Sequence, residues 1–328
     1  MIGLVGAGLV GAHAVDALIQ RGQAQLLVHD VNVAASNRLV SKRSSARNRV
    51  TAVQVNDLFS ANVVVLACPP PHAKAARRFL ESGVGVVSCS DDVDDTLAML
   101  ELDAMARAAG RTLVVGATMS PGLSGLLVRA ISLGFDDVDE AHVAIHGTAG
   151  PACAQQHHRA LGGQAIGWHD GDWLRRPAGS GRELCWFPDP VGPRDCYRAE
   201  LTDPLVIQRA LPELTRVTVR MSATRRDRLT ARLPMLTPPH AEGGVGALRI
   251  EVRGWRNAGR HVEVVGIADR VGHVAGLVAA ATARRLIAGD FSAGARVLGD
   301  AGSPNADLLN DLVVDGLHLH EFVGSAQD

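Results

Sequence analysis

The chain opens on Ile2-Gly3-Leu4-Val5-Gly6-Ala7-Gly8-Leu9-Val10-Gly11, and a second apolar run, residues 25–30, ends in the carboxylate of Asp30. A short strand running into Gly-x-Gly-x-x-Gly at the start of a helix, then a strand ending in an acid about 20 residues further on, constrains the fold more than any other feature here. Gly6 permits the tight turn, Gly8 leaves the backbone bare for close approach, and Gly11 lets the helix pack on the strand. The N–H groups of Ala7, Leu9 and Val10 and the positive end of the helix dipole suit an anion. Together these features describe a pyrophosphate cradle, with Asp30 placed to accept hydrogen bonds from the ribose of an adenosine. The expected cofactor is NAD, because a carboxylate at Asp30 repels a 2′-phosphate. NADP stays open because Arg38, Lys42 and Arg43 lie close by in sequence.

Up to residue 121, short apolar runs (2–5, 25–30, 50–55, 63–67, 84–88 and 112–115) alternate with helical segments such as 10–21, 73–81 and 94–109. Continuously apolar strands suit a parallel sheet covered on both faces, and this first unit reads as a doubly wound α/β domain. Beyond Gly116 the pattern changes. A helix over 123–133 precedes longer, partly alternating runs at 139–147, 164–169, 182–187, 216–221, 247–253 and 261–267. Residues 122–271 therefore read as an inserted α+β domain for substrate and dimerisation. Residues 272–328, with an alanine-rich helix over 274–288, a helix over 305–314 and a last strand over 317–322, read as a segment returning to the first domain. A separate domain of that size would want staples.

Composition narrows the function. A net charge of −1 gives no electrostatic case for nucleic acid or an anionic membrane, and no apolar run reaches the length of a membrane span. Five cysteines without a CxxC pair point to reduced thiols in a cytoplasmic protein, with neither a disulfide framework nor a metal site. The expected partner is a small-molecule substrate.

Three stretches together resemble the saccharopine dehydrogenase-like NAD(P) oxidoreductases. They are the Gly6/Gly8/Gly11 turn, the segment Gly116-Ala117-Thr118-Met119-Ser120-Pro121-Gly122-Leu123, and the alanine-rich helix with Gly289 and the Gly316 segment behind it. The resemblance implies a nucleotide domain, an inserted substrate domain, a homodimer, and hydride transfer on an amino acid, imine or hydroxy acid. The middle third carries no catalytic constellation of that family. The Glu-Lys-Pro signature of sugar dehydrogenases is replaced by Ala67-Cys68-Pro69-Pro70-Pro71-His72-Ala73-Lys74, which argues against a sugar. The alternative function is a non-catalytic dinucleotide sensor or partner-binding protein on the same fold.

Other candidates follow from position and chemistry. Cys68 and Pro69, after the fourth strand, and Ser90, after the fifth, sit where open sheets bind ligands, at the carboxyl ends of strands. Cys68 reads as a wall residue, since no positive neighbour would lower its pKa. The acids Asp91 and Asp92 also suit a helix N-cap. For proton transfer the candidates are His146, His157 and Tyr197, with Arg194 to clamp a carboxylate. Each has a plain alternative: a structural histidine, or an aromatic corner beside a surface Arg–Asp pair. His157 and His158 are adjacent, so they point to different faces of one helix.

Overall fold

The computed structural model describes residues 1–23, 25–45, 48–235 and 238–322; the last six residues of the expected return segment lie outside these. The chain begins with β1 (Ile2–Val5), α1 (Leu9–Gln20), β2 (Gln25–His29), α2 (Val33–Arg43), β3 (Arg49–Ala52), β4 (Val63–Leu66), α3 (Ala73–Glu81), β5 (Gly85–Ser88), α4 (Val93–Leu100), α5 (Asp103–Ala108) and β6 (Thr112–Val115). Every residue of β4, β5 and β6 is buried, as parallel strands covered on both faces require. The helix expected over 94–109 is two helices. The chain turns at buried Leu102, and this aims the Asp103 carboxylate so that it accepts the Ala295 N–H at 2.9 Å. Asp92 caps α4 by accepting the Asp95 N–H, and Asp95 in turn accepts the His72 and Ala73 N–H groups at the start of α3.

Next come α6 (Leu123–Ser132), β7 (Asp137–His146), α7 (Pro151–Ala160), β8 (Gln164–His169), β9 (Asp172–Pro177), β10 (Glu183–Trp186), β11 (Pro193–Tyr197), α8 (Asp203–Ala210), β12 (Arg216–Ser222), α9 (Arg225–Thr230), β13 (Val245–Arg256) and β14 (Gly259–Arg270). The final elements are α10 (Val271–Ala288), β15 (Gly294–Val297), α11 (Asn305–Val314) and a two-residue β16 (His320–Glu321), shorter than the strand read over 317–322.

Two sheets result. The first has the order β15-β6-β5-β4-β1-β2-β3 and is parallel throughout. Its β15 comes from the end of the chain and adds beside β6, with Gly294 opposite Thr112. The second is mixed, β10-β11-β12-β7-β13-β14-β16, with β8 paired to β12 and β9 paired to β8. Only β12 and β7 pair in parallel there. Strands β13 and β14, twelve residues each, form a hairpin closed by Asn257 and Ala258, both at positive φ, which suits the twist of a two-residue turn.

Register decides the faces of the second sheet. Ala141, Val143 and Ile145 lie opposite Val252, Ile250 and Leu248 on one side and Val217, Val219 and Met221 on the other. This apolar face is buried with Leu123, Leu127 and Ile207 of α6 and α8 in the main core. The opposite face carries Glu140, His142, Arg249, Glu251 and Arg253, joined by ion pairs. A smaller cluster of Ala144, Cys185, Phe187, Val191, Cys196 and Ala247 covers its end.

Helix α10 is the one described helix long and apolar enough to cross a membrane, and here it is core: twelve of its residues are buried. It crosses α1 so closely that a Cβ on Gly276 would fall 2.8 Å from the Ala14 nitrogen.

Candidate active site

The glycine turn has the geometry its sequence implies. Gly6 sits at φ +106°, and a Cβ there would stand 2.7 Å from the backbone of Ala67 and Cys68. A Cβ on Gly11 would overlap the Gly6 carbonyl oxygen. These two glycines serve the packing of α1 on β1 and β4. Gly8 differs, because a Cβ there would meet nothing within 4 Å. Its bareness serves no contact within the chain; it keeps space open at the N-terminus of α1, where a pyrophosphate fits. Asp30 braces the turn. One carboxylate oxygen accepts the Ala7 N–H and the other the Asn32 N–H, each at 2.7 Å. Of the nearby basic residues, Arg43 is committed to Asp16 by two bonds of 2.6 and 2.7 Å.

A cavity of about 460 Å³ starts at this turn, a size within the range of small-molecule sites. Gly6, Gly8, Leu9, Val10 and Asp30 line one end, and Cys68, Pro69, Cys89 and Met119 line the middle. Asp91, Ser120, Cys153, Gln156 and His157 close the other end. The walls are mostly apolar and come from both domains. The loop after β7 brings α7 here. Gly147, at φ +86°, lets β7 pass close to Gly246, and α7 then starts at Gly150–Pro151, with the Leu9 side chain against Gly150.

Cys153 and His157 stand one helical turn apart on α7, with Sγ 3.7 Å from Nε2. The Asp91 carboxylate, from the end of β5, reaches the same Nε2 at 3.9 Å. The imidazole is 11% exposed and the Asp91 carboxylate 19%. Burial pushes the His157 pKa down, against the pull of Asp91 and Asp203. Burial raises Asp91, and the His157 charge opposes it. The Cys153 thiol is pushed up to about 12, by burial first and by the Asp91 charge second, so at neutral pH it is protonated. Behind them Asp203, at the start of α8, accepts from the Ser120 hydroxyl at 2.7 Å and from Ser124. Burial raises its pKa in spite of those bonds.

A second, more polar pocket of about 400 Å³ adjoins the first, sharing Pro69, Pro70, Asp91, Ala152 and Gln156. Arg159, Asp92, Asp94 and Glu200 line its far side.

The expected residues divide accordingly. Gly6, Gly8, Leu9, Val10, Asp30, Cys68, Pro69 and His157 border the cavity. Ala7 and Gly11 stand behind it as parts of the turn, and Ser90 is fully buried, its N–H donating to Ser88 Oγ. Three proposed residues of the inserted domain do not reach the cleft. His146 is next to Ile145 on a strand and so points to the opposite face, where Nδ1 meets Ser222 Oγ at 2.7 Å. Arg194 pairs across from Cys185 on that same far face and is exposed. Tyr197 is on the near face but buried under Arg228, whose guanidinium carbon lies 4.0 Å from the ring centre. His158 points away from the cleft, with Nε2 3.0 Å from the Leu233 carbonyl oxygen. The sequence reading missed Cys153 and Asp203, and left Asp91 between the strand-end ligand site and a helix cap. The spacing of Cys153 and His157 is legible in the sequence, whereas the arrival of Asp91 depends on how the two domains meet.

Comparison with known proteins agrees with this layout. Residues 1–92 match the family of NADP oxidoreductases described as coenzyme F420-dependent. None of the curated proteins matches the chain. Among solved structures, the chain is similar to an apo saccharopine dehydrogenase (L-Glu forming) from Saccharomyces cerevisiae. Identity is 14% and the TM-score 0.69, over 98% of this chain and 99% of that one. A putative myo-inositol dehydrogenase from Sinorhizobium meliloti gives 15% identity and a TM-score of 0.49 over 96% and 94% of the two chains. DAP dehydrogenase of C. glutamicum gives 12% and 0.48 over 95% and 98%. The fold is that of the solved saccharopine dehydrogenase: a Rossmann domain with an inserted α+β domain and a C-terminal segment that completes the first sheet.

Proposed function

We propose that the protein is an NAD-preferring dehydrogenase or reductase acting on a small amino acid, imine or hydroxy acid. One observation carries the reading. A single apolar cavity runs from a bare glycine turn to the Asp91–Cys153–His157 group, and both domains enclose it. A bound nicotinamide cofactor would supply the hydride chemistry. Gly8 and the N-terminus of α1 would hold the pyrophosphate, and Asp30 has lone pairs left for ribose hydroxyls while its charge disfavours a 2′-phosphate. The apolar middle of the cavity excludes water from the reacting carbon. The polar end, lined by Asp91 and His157, meets the nitrogen or oxygen that gains or loses a proton. In the adjoining pocket, Arg159 together with the carboxylates of Asp92, Asp94 and Glu200 suits a substrate carrying both a carboxylate and an ammonium group.

The same reading places the protein in the cytoplasm as a homodimer, with the boundaries at residues 121 and 271 separating nucleotide, substrate and return segments. Its five unpaired cysteines support the compartment. Size-exclusion chromatography with light scattering tests the dimer. The activity test has two stages. Calorimetric titration with NAD and with NADP comes first, and binding of neither would end the proposal. Amino and hydroxy acids are then screened for reduction of the bound nucleotide, followed by its absorbance. Tight nucleotide binding without turnover across that panel would favour a sensor.

A further inference from the structure

We propose that Asp91, Cys153 and His157 form a three-ligand site for a zinc ion, with its fourth position open to the cleft. Thiolate, imidazole and carboxylate are the donors zinc takes, and three protein ligands with one open position is the pattern of reactive zinc sites. The geometry fits. At zinc–ligand lengths of about 2.0–2.3 Å, ligand atoms around a tetrahedral ion stand about 3.3–3.6 Å apart. Here the Sγ–Nε2 edge is 3.7 Å and the Nε2–Oδ2 edge 3.9 Å, with all three atoms within 4.8 Å of one another. The two edges at Nε2 close with shifts of about a few tenths of an ångström, and the sulfur–carboxylate edge, within 4.8 Å, closes by up to about 1.3 Å as the Cys153 and Asp91 side chains turn.

The alternative use of these residues is a nucleophile relay, and the arrangement argues against it. In a relay the imidazole turns one nitrogen to the nucleophile and the other to the orienting carboxylate. Here sulfur and carboxylate both face Nε2, so the three groups converge on one point. Nδ1 is buried and has no hydrogen-bond partner among the described residues. Two ligands one turn apart on a helix, with the third from another element, hold such a site rigidly. Binding displaces the Cys153 proton to solvent and leaves the His157 proton on Nδ1. That the open position serves the substrate rests on the reading of the cleft given above; the binding itself does not.

The test uses the full chain stripped by a chelator and titrated with cobalt as a spectroscopic stand-in. One equivalent should bind, with the visible bands of a tetrahedral ion and a thiolate-to-cobalt charge-transfer band, and one equivalent of zinc should abolish both. Cys153→Ser should remove the charge-transfer band. His157→Gln and Asp91→Asn should weaken binding by about 100-fold or more, at least the loss seen when a metal ligand's own support is removed. Circular dichroism checks that each variant folds. Failure of the wild type to bind one equivalent, or an unchanged band in folded Cys153→Ser, overturns the site. NAD is titrated on the same samples. Cobalt bands without NAD binding would refute the cofactor reading and leave the metal site standing, and NAD binding without the bands would do the reverse.

Discussion

Replacing the three glycines of the first turn by alanine, one at a time, should separate binding from stability. Gly8 has an extended backbone that any residue adopts, and an added methyl meets nothing within 4 Å. Alanine at a helix cap costs up to about 1 kcal/mol against glycine, and reduced freedom of the unfolded chain returns about 0.4–1 kcal/mol. The net change is within about 1 kcal/mol. For a chain this long the unfolding entropy is about 0.7 kcal/mol/K, so the melting temperature should move by no more than about 2 °C. The same methyl stands where the pyrophosphate would touch the backbone, and NAD affinity should fall at least about tenfold, or about 1.4 kcal/mol. Gly11→Ala drives a methyl into the Gly6 carbonyl oxygen, and backbone cannot step aside as a side chain can. Overpacking of about 1–3 kcal/mol or more outweighs a helix-propensity gain of about 1 kcal/mol. Gly6→Ala adds strain at φ +106° to a contact of 2.7 Å with the next loop. Melting is followed without nucleotide, since a ligand would shift it, and affinity is read by calorimetry. Gly8→Ala binding NAD as wild type does, or losing as much stability as Gly11→Ala, would refute the argument.

Three further outcomes follow from the same structure. Asp30→Asn keeps an acceptor for the turn but removes the charge, so the ratio of NADP to NAD dissociation constants should narrow by about tenfold, about 1.4 kcal/mol; an unchanged ratio would remove Asp30 from selectivity. Burial lowers the pKa of His72, whose Nε2 lies 2.9 Å from the Cys68 carbonyl oxygen and whose Nδ1 lies 2.8 Å from Ser88 Oγ. The unfolded chain then binds more protons, so this contribution is complete above about pH 6.5 and is lost as pH falls toward the lower folded value. Urea midpoints measured from pH 8 to pH 5 should drop in wild type and drop less in His72→Asn. Asp203→Ala leaves the Ser120 and Ser124 hydroxyls without their acceptor and should cost about 1–3 kcal/mol, seen as a lowered melting temperature that Asp203→Asn partly restores.

The Rossmann half was legible because its strands are buried on both faces and its glycines sit at fixed offsets. The inserted sheet was legible in most of its strands, though not in β9 or β11, and not in its faces. His146 and Ile145 are equally plausible cleft residues until the register with β13 says which side meets α6. Tyr197, the chain's one tyrosine, drew notice for its chemistry, yet Arg228 covers its ring. Asp91 and Asp92 read alike as helix caps; Asp92 does cap α4, while Asp91 turns into the cavity. The strand β15 went unread because Gly-Ala-Arg-Val is too short and too weakly patterned to stand out without its neighbour β6.

The position of β15 and α10 has a consequence for synthesis. The glycine-turn helix is covered by a helix made only after all of the second sheet except its two-residue strand β16, and β6 remains an edge strand until the last part of the chain is out. A ribosome therefore delivers a cofactor half that cannot finish folding when its own strands emerge. It must wait, with an apolar helix flank and an unpaired strand edge exposed, for a closure between distant parts of the sequence. Chains stopped after β14 should accordingly be caught by chaperones or aggregate instead of yielding a free nucleotide-binding domain.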